Sequence, residues 1–323
     1  MSFRKAFRFQ ATYQPLVCTV MPFIMQPRAL TADIDLIDVQ GWDFHHTTAS
    51  LIVRGQSTAI LETGHHRCGE QILSALKARA NTLNSLRYIC VTHRHGDHCG
   101  GATPLASAIP NATVVGHKYA IAALHDPSRL NQGARQLFGP YAQDIQPLPE
   151  EITTWEVEEG DRIDLGNDLE LEIIGTPGHT SDHLTYFETS SHTMYTGDAL
   201  GLLGPKLYTV TPTSFPPSFK FDTYRSSIEK LTGYDPKFLV FSHFGAVTGS
   251  DISVIFHRAL VTLDSWKETV EQAWETTPTQ ESVMTAVSKR FLEELEVFPP
   301  KARPLFIRVM AMGLSQSLIP NIE

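Results

Sequence analysis

Apolar positions along the chain follow two periods, and the period changes from segment to segment. Residues 34–39 alternate, while 49–53 and 59–61 are short apolar runs broken at Gly55, so this region predicts strands. Residues 70–80 switch to helical spacing through Ile72, Leu73, Leu76 and Ala80. A buried-type strand over 86–91 follows, then a helix over 102–109 that stops at Pro110, a strand over 112–115 and a helical turn over 120–124. Residues 125–141 are mixed and are read as a helix over the site. Strand signals return over 154–187, punctuated by Gly160, Gly166-Asn167-Asp168 and Pro177-Gly178, and again at 193–195. Residues 200–221 form a long loop with Gly204, Pro205, Pro212, Pro216 and Pro217, and long loops inside a compact domain are usually functional. A helix over 223–231 and a strand over 238–241 close this part. Beyond Gly249 only helical spacing remains, over 254–273, 280–295 and 305–318.

Two strand-rich stretches, each accompanied by helices, predict a layered α/β sandwich. The expected organisation is an N-terminal arm over 1–33, a main domain over 34–250 and a helical appendage over 251–323 that covers the site or forms a homodimer contact.

Several predicted strands end in residues that bind metals. Past the strand 86–91 comes Thr92-His93-Arg94-His95-Gly96-Asp97-His98, four potential ligands within six residues. Imidazole nitrogens and carboxylate oxygens suit zinc, iron or manganese. In an extended backbone His93 and His95 point the same way while Asp97 and His98 address another direction, which suggests two adjacent ions. Three further runs end likewise: Ile173-Ile174-Gly175-Thr176-Pro177-Gly178-His179, Met194-Tyr195-Thr196-Gly197-Asp198 and Phe238-Leu239-Val240-Phe241-Ser242-His243. Seven candidate ligands fit two ions with positions left for water or substrate.

Composition narrows the partners. A formal net charge of −9 disfavours nucleic acid, whose binding draws on Lys and Arg. No apolar stretch is long enough to span a membrane. Cys18, Cys68, Cys90 and Cys99 are scattered without a C-x-x-C spacing, which fits a reducing, cytoplasmic compartment. The first 32 residues carry Arg4, Lys5, Arg8 and Arg28 but no acid, a feature of mitochondrial targeting segments. Pro15, Pro22 and Pro27 break the amphipathic helix such a segment needs, so an irregular arm is the expectation.

The ordered set H-x-H-x-D-H, T-P-G-H, G-D and S-H resembles the metallo-β-lactamase superfamily over residues 34–249. The resemblance implies a four-layer αββα sandwich with the site at one edge. It also implies that His93, His95 and His179 hold one metal ion, that Asp97, His98 and His243 hold the second, and that Asp198 bridges both. Within the superfamily the chain is similar to the lactonase and glyoxalase II branches. It departs from N-acyl homoserine lactonases in carrying Gly201 where they carry a tyrosine, with Tyr208 as a candidate replacement. No basic motif for glutathione is evident in the C-terminal helices.

The function expected from these residues is hydrolysis of an ester, lactone or thioester carbonyl by a hydroxide shared between two divalent ions, zinc first and iron or manganese as alternatives. Asp97 is the candidate proton shuttle. The apolar loop bearing Leu202, Leu203, Leu207, Tyr208, Phe215 and Phe219 is a candidate wall for an apolar portion of a small-molecule substrate, with Tyr208, Phe215 and Phe219 as contacts. Competing readings are a phosphodiesterase or nuclease of the same fold, and a metal-binding regulatory protein with little turnover.

Overall fold

The computed structural model describes residues 23–79, 82–204, 209–291 and 300–319. Strands β1 (Phe23–Ile24), β2 (Arg28–Ala29), β3 (Ile34–Asp38), β4 (Ala49–Arg54), β5 (Thr58–Leu61), β6 (Leu86–Cys90), β7 (Thr113–Gly116) and β8 (Thr154–Glu156) open the chain. They are followed by β9 (Arg162–Gly166), β10 (Leu169–Gly175), β11 (Leu184–Glu188), β12 (Thr193–Tyr195), β13 (Leu202–Leu203), β14 (Val210–Thr211), β15 (Phe238–Val240) and β16 (Ala246–Thr248). One seven-stranded sheet runs β2-β3-β4-β5-β6-β7-β8, and a second runs β1-β16-β15-β12-β11-β10-β9. The described part of the expected arm therefore pairs as strand, with β1 closing the edge of the second sheet and β2 that of the first. The expected loop over 200–221 contains the small β13–β14 hairpin.

Helices fill the crossovers and the outer layers. Between the parallel strands β5, β6, β7 and β8 lie α1 (Gly69–Lys77), α2 (Thr82–Ser85), α3 (Gly96–Cys99), α4 (Ala102–Ala108), α5 (Lys118–His125) and α6 (Ser128–Phe138). The second half carries α7 (Phe221–Leu231), α8 (Asp251–Thr276), α9 (Gln280–Phe291) and α10 (Arg303–Leu318).

Alternation along the strands sorts side chains into the layers. Leu51, Val53 and Leu61 of the first sheet meet Leu171, Ile173, Tyr186 and Tyr195 of the second in the inter-sheet core. Ile52, Ile60 and Ile89 point the other way, against Ile72, Leu105 and Ile121 of the helices. On the far side, Met194 and Leu239 share one apolar cluster with Ile228, Leu263, Trp266 and Met310. The helices after residue 250 thus form the outer layer of the second sheet, continuous with its core. Among the described residues no helix is long and apolar enough to cross a membrane.

α10 also reaches the loop beside the site. A Cβ at Gly313 would lie 2.1 Å from the Ser214 carbonyl oxygen, so only glycine allows this approach. The Ser214 hydroxyl donates to the Met310 carbonyl at 2.9 Å.

Candidate metal centre

Four strand ends converge at one edge of the sandwich. β6 ends at Cys90, and the chain then presents His93 and His95 before α3 presents Asp97 and His98. The exits of β10, β12 and β15 deliver His179, Asp198 and His243. Three groups of ligand atoms result: His93, His95 and His179; His93, His98 and Asp198; and Asp97, His98 and His243, each within 4.8 Å. All seven side chains singled out from the sequence are brought together.

The nitrogens of the first group form a near-equilateral triangle. His93 Nε2 and His95 Nδ1 are 3.0 Å apart, His179 Nε2 and His95 Nδ1 2.9 Å, and His179 Nε2 and His93 Nε2 3.2 Å. Donors about 2.0–2.1 Å from a tetrahedral ion sit about 3.3 Å from one another, so the triangle fits one ion. Asp198 stands between the groups, with Oδ2 3.3 Å from His179 Nε2 and Oδ1 3.6 Å from His98 Nε2 and 3.4 Å from His243 Nε2. Asp97 Oδ2 lies 3.6 Å from His98 Nε2.

The nitrogens that face away from the cluster are anchored, which fixes ring orientation. His179 Nδ1–H donates to the Thr213 carbonyl at 2.6 Å, and His243 Nδ1 lies 3.3 Å from the Thr47 carbonyl. His98 Nδ1–H donates to Glu62 Oε2 at 2.9 Å, and the Thr92 hydroxyl donates to the same oxygen at 2.6 Å. Asp198 is set by its backbone: its N–H donates to His183 Nε2 at 2.9 Å, and its carbonyl accepts from Thr213 and Tyr224. Gly197 makes that turn at φ 54, where a Cβ would lie 2.7 Å from His183 Nε2.

Electrostatics divide the cluster. Burial pushes His93 and His95 well below the usual imidazole value, and their histidine neighbours add to this, so both present lone pairs. Burial would also lower His98, but Asp198, Asp97 and Glu62 outweigh it and hold His98 at about 10. Burial would raise Asp198, yet the His98, His243 and His179 imidazoles hold it well below the usual carboxylate range. The neutral His93 and His95 imidazoles beside the buried Asp198 carboxylate are a donor set that calls for a cation.

A cavity of about 800 Å³ opens onto His95, Asp97 and Asp198. Phe215 lines it, 6.0 Å from the His179 ring. Phe219 does not line it. It is 2% exposed and packs on Tyr224 in the outer core, because the turn after Pro217 points it away from the cavity. Leu202 and Leu203 are likewise buried in that core. Tyr208 and Leu207 lie outside the described residues. His45, His46, His65, His66, His117, His125, His192 and His257 belong to none of the three ligand groups.

Three residues at the site had not been singled out from the sequence. Glu62 is fully buried and follows the apolar run of β5, so the rule that found His93, His179, Asp198 and His243 applies to it as well. Asp182, 1% exposed, accepts the Arg94 N–H at 3.0 Å and pairs with Arg94 Nε at 3.4 Å, tying the His93–His95 loop to the His179 loop. Trp42, at φ 52, stacks on His243 at 6.2 Å.

The sequence model described as the metallo-beta-lactamase superfamily matches residues 42–243. A putative diflavin flavoprotein A 2 of Synechocystis is 29% identical over 60% of this chain, and the match spans only 31% of that relative. A hydroxyacylglutathione hydrolase of Vibrio parahaemolyticus is 32% identical over 41% of this chain and 38% of its own length. The solved structure of an archaeal metallo-beta-lactamase superfamily protein from Sulfolobus tokodaii superposes with a TM-score of 0.63 at 20% identity, covering 88% of this chain and 98% of that one.

Proposed function

The chain belongs to the metallo-β-lactamase superfamily, and we propose that it is a dinuclear metal-dependent hydrolase of a carboxylic ester, lactone or thioester with an apolar portion. The observation that carries this reading is the pair of ligand groups meeting at Asp198 on the floor of an apolar cavity. His93, His95 and His179 would hold one ion, Asp97, His98 and His243 the other, with Asp198 shared. Zinc is the first candidate, and the His/Asp donors also suit iron or manganese. Bound divalent ions supply Lewis acidity towards a carbonyl oxygen and bring the ionisation of water near neutral pH.

The protein's own groups do the rest. Asp97 reaches both the cluster and the cavity, so its carboxylate is placed to orient the attacking water, take up its proton and return it to the leaving group. Phe138, Phe215 and Phe306 line the cavity beside the floor, displacing water from the reacting carbonyl. Similarity to the hydroxyacylglutathione hydrolase supports the thioester member of this set. The apolar lining and the net charge of −9 weigh against a nucleic-acid substrate.

A panel of ester, lactone, thioester and phosphodiester substrates, run on metal-reconstituted protein, tests the proposal. Turnover of a carbonyl substrate that chelation removes and metal restores is the expected result. Turnover confined to the phosphodiester, or inert reconstituted protein, would contradict it.

A further inference from the structure

We infer that the cavity is a slot for an acyl chain, its depth along α6 kept open by small residues of α5 and α6, so that the substrate carries a chain of several methylenes on its hydrolysable carbonyl; this rests on the hydrolase reading. No residue of α6 is fully buried, yet Leu130, Gly133, Ala134 and Leu137 recur at i, i+3, i+4 and i+7 and all line the cavity. The helix thus turns an apolar face towards empty space. Ala122 and Ala123 of α5 line the same cavity, so four small residues from two helices leave width between Leu130, Leu137 and Ile145.

Gly133 marks the gap. A Cβ built there would meet nothing within 4 Å, so the position tolerates a larger side chain as far as the protein is concerned. Glycine is also a poorer helix former than alanine, so local helix propensity does not explain it. The width is held by contacts at the rim of the slot. The Asn131 side chain exchanges two hydrogen bonds with the Ile145 backbone, at 2.9 and 2.8 Å, and Arg135 pairs with Asp144.

Direction follows from the aromatic contacts. Phe138, at the C-terminal end of α6, lies 5.7 Å from Phe215, which in turn lies 6.0 Å from the His179 ring. A chain whose carbonyl sits at the ligand cluster would therefore run back along α6 towards Arg129, which also lines the cavity. At a helical rise of about 1.5 Å per residue, that inner face is about 13 Å long. Each methylene buried along it is worth about fourfold in binding.

The test compares Gly133→Val and Gly133→Ala with wild type on 4-nitrophenyl acetate, hexanoate and decanoate, and titrates each protein calorimetrically with decanoate. Gly133→Val should lower the decanoate-to-acetate ratio of kcat/KM by about tenfold or more, since it displaces about two methylenes. Decanoate affinity should fall in parallel. Gly133→Ala, which favours the helix, should shift both in the same direction by less and keeps the test open if the valine variant does not fold. Gln136→Val, on α6 outside the lining, should keep the wild-type ratio. An unchanged ratio with unchanged decanoate affinity in the folded Gly133 variants would overturn the slot, as would wild type that does not bind decanoate. If wild type hydrolyses no ester, lactone or thioester of the substrate panel, the hydrolase reading falls, and the decanoate titrations still decide the slot.

Discussion

His179, in the ligand cluster beneath the cavity, and Leu137, on its α6 wall, sit in opposite kinds of structure. His179 is fully buried, its Nδ1 fixed by the Thr213 carbonyl and its Nε2 aimed at two other imidazoles. Leu137 belongs to a helix with no fully buried residue, held on by an Asn131–Ile145 clamp and the Arg135–Asp144 pair. The floor is preorganised: ligands arrive from four strand ends of two sheets, and Asp182 ties two of their loops together. The wall centres on a partly exposed helix, with α5 beside it, whose apolar face meets cavity as well as core. On the proposed reading, chemistry is anchored to the sandwich while substrate choice rests on a surface element, a division in which changes to the wall should leave the floor intact.

Substitutions can break this contrast, and the largest effect belongs on the floor. Asp97→Asn, assayed at metal concentrations that saturate both groups, should lower kcat by about a hundredfold or more, because the amide cannot take up a proton. Near wild-type turnover in a metal-loaded variant would remove Asp97 from proton transfer. Asp182→Asn keeps the shape of the side chain and an acceptor for the Arg94 N–H but removes the charge that pairs with the Arg94 guanidinium, so the tie between the His93–His95 loop and the His179 loop weakens. Metal affinity should drop about tenfold in chelator competition; unchanged affinity would reduce the Asp182–Arg94 pair to ordinary packing. The smallest effect on turnover separates the two phenylalanines. Phe219→Ala should cost about 3 kcal/mol in denaturant unfolding and leave acyl preference alone, because the ring fills the core. Phe215→Ala should do the reverse, and exchange of the two outcomes would misplace the wall.

The floor was legible in the sequence and the wall only in part: residues 125–141 read as a helix over the site, where α6 lines the cavity with Phe215, but the individual lining residues of that helix carry no signal of their own. His93, His95, Asp97, His98, His179, Asp198 and His243 each stand at or near the end of an apolar run, so strand period and ligand chemistry pointed to the same positions. The two sheets followed from the same runs. Glu62 met the same criterion but is one acid among 35 Asp and Glu residues, and what distinguishes it is complete burial against His98 and Thr92. Asp182 and Trp42 act through partners distant in the chain, which no local period encodes. Phe215 and Phe219 are four residues apart with the same side chain, and only the path of the loop through Pro216 and Pro217 sends one to the cavity and the other to Tyr224. The helices after residue 250 read as a helical appendage because their spacing is purely helical, and Trp266 and Met310 of these helices share one core with Met194.

Metal content bears most directly on the whole account. Plasma mass spectrometry of the purified, reconstituted chain should find about two divalent ions per molecule, and Asp198→Ala, which lacks the oxygens shared by both groups, should retain far fewer. Wild-type protein that holds almost no metal after reconstitution, or an Asp198→Ala variant loaded like wild type, would contradict it.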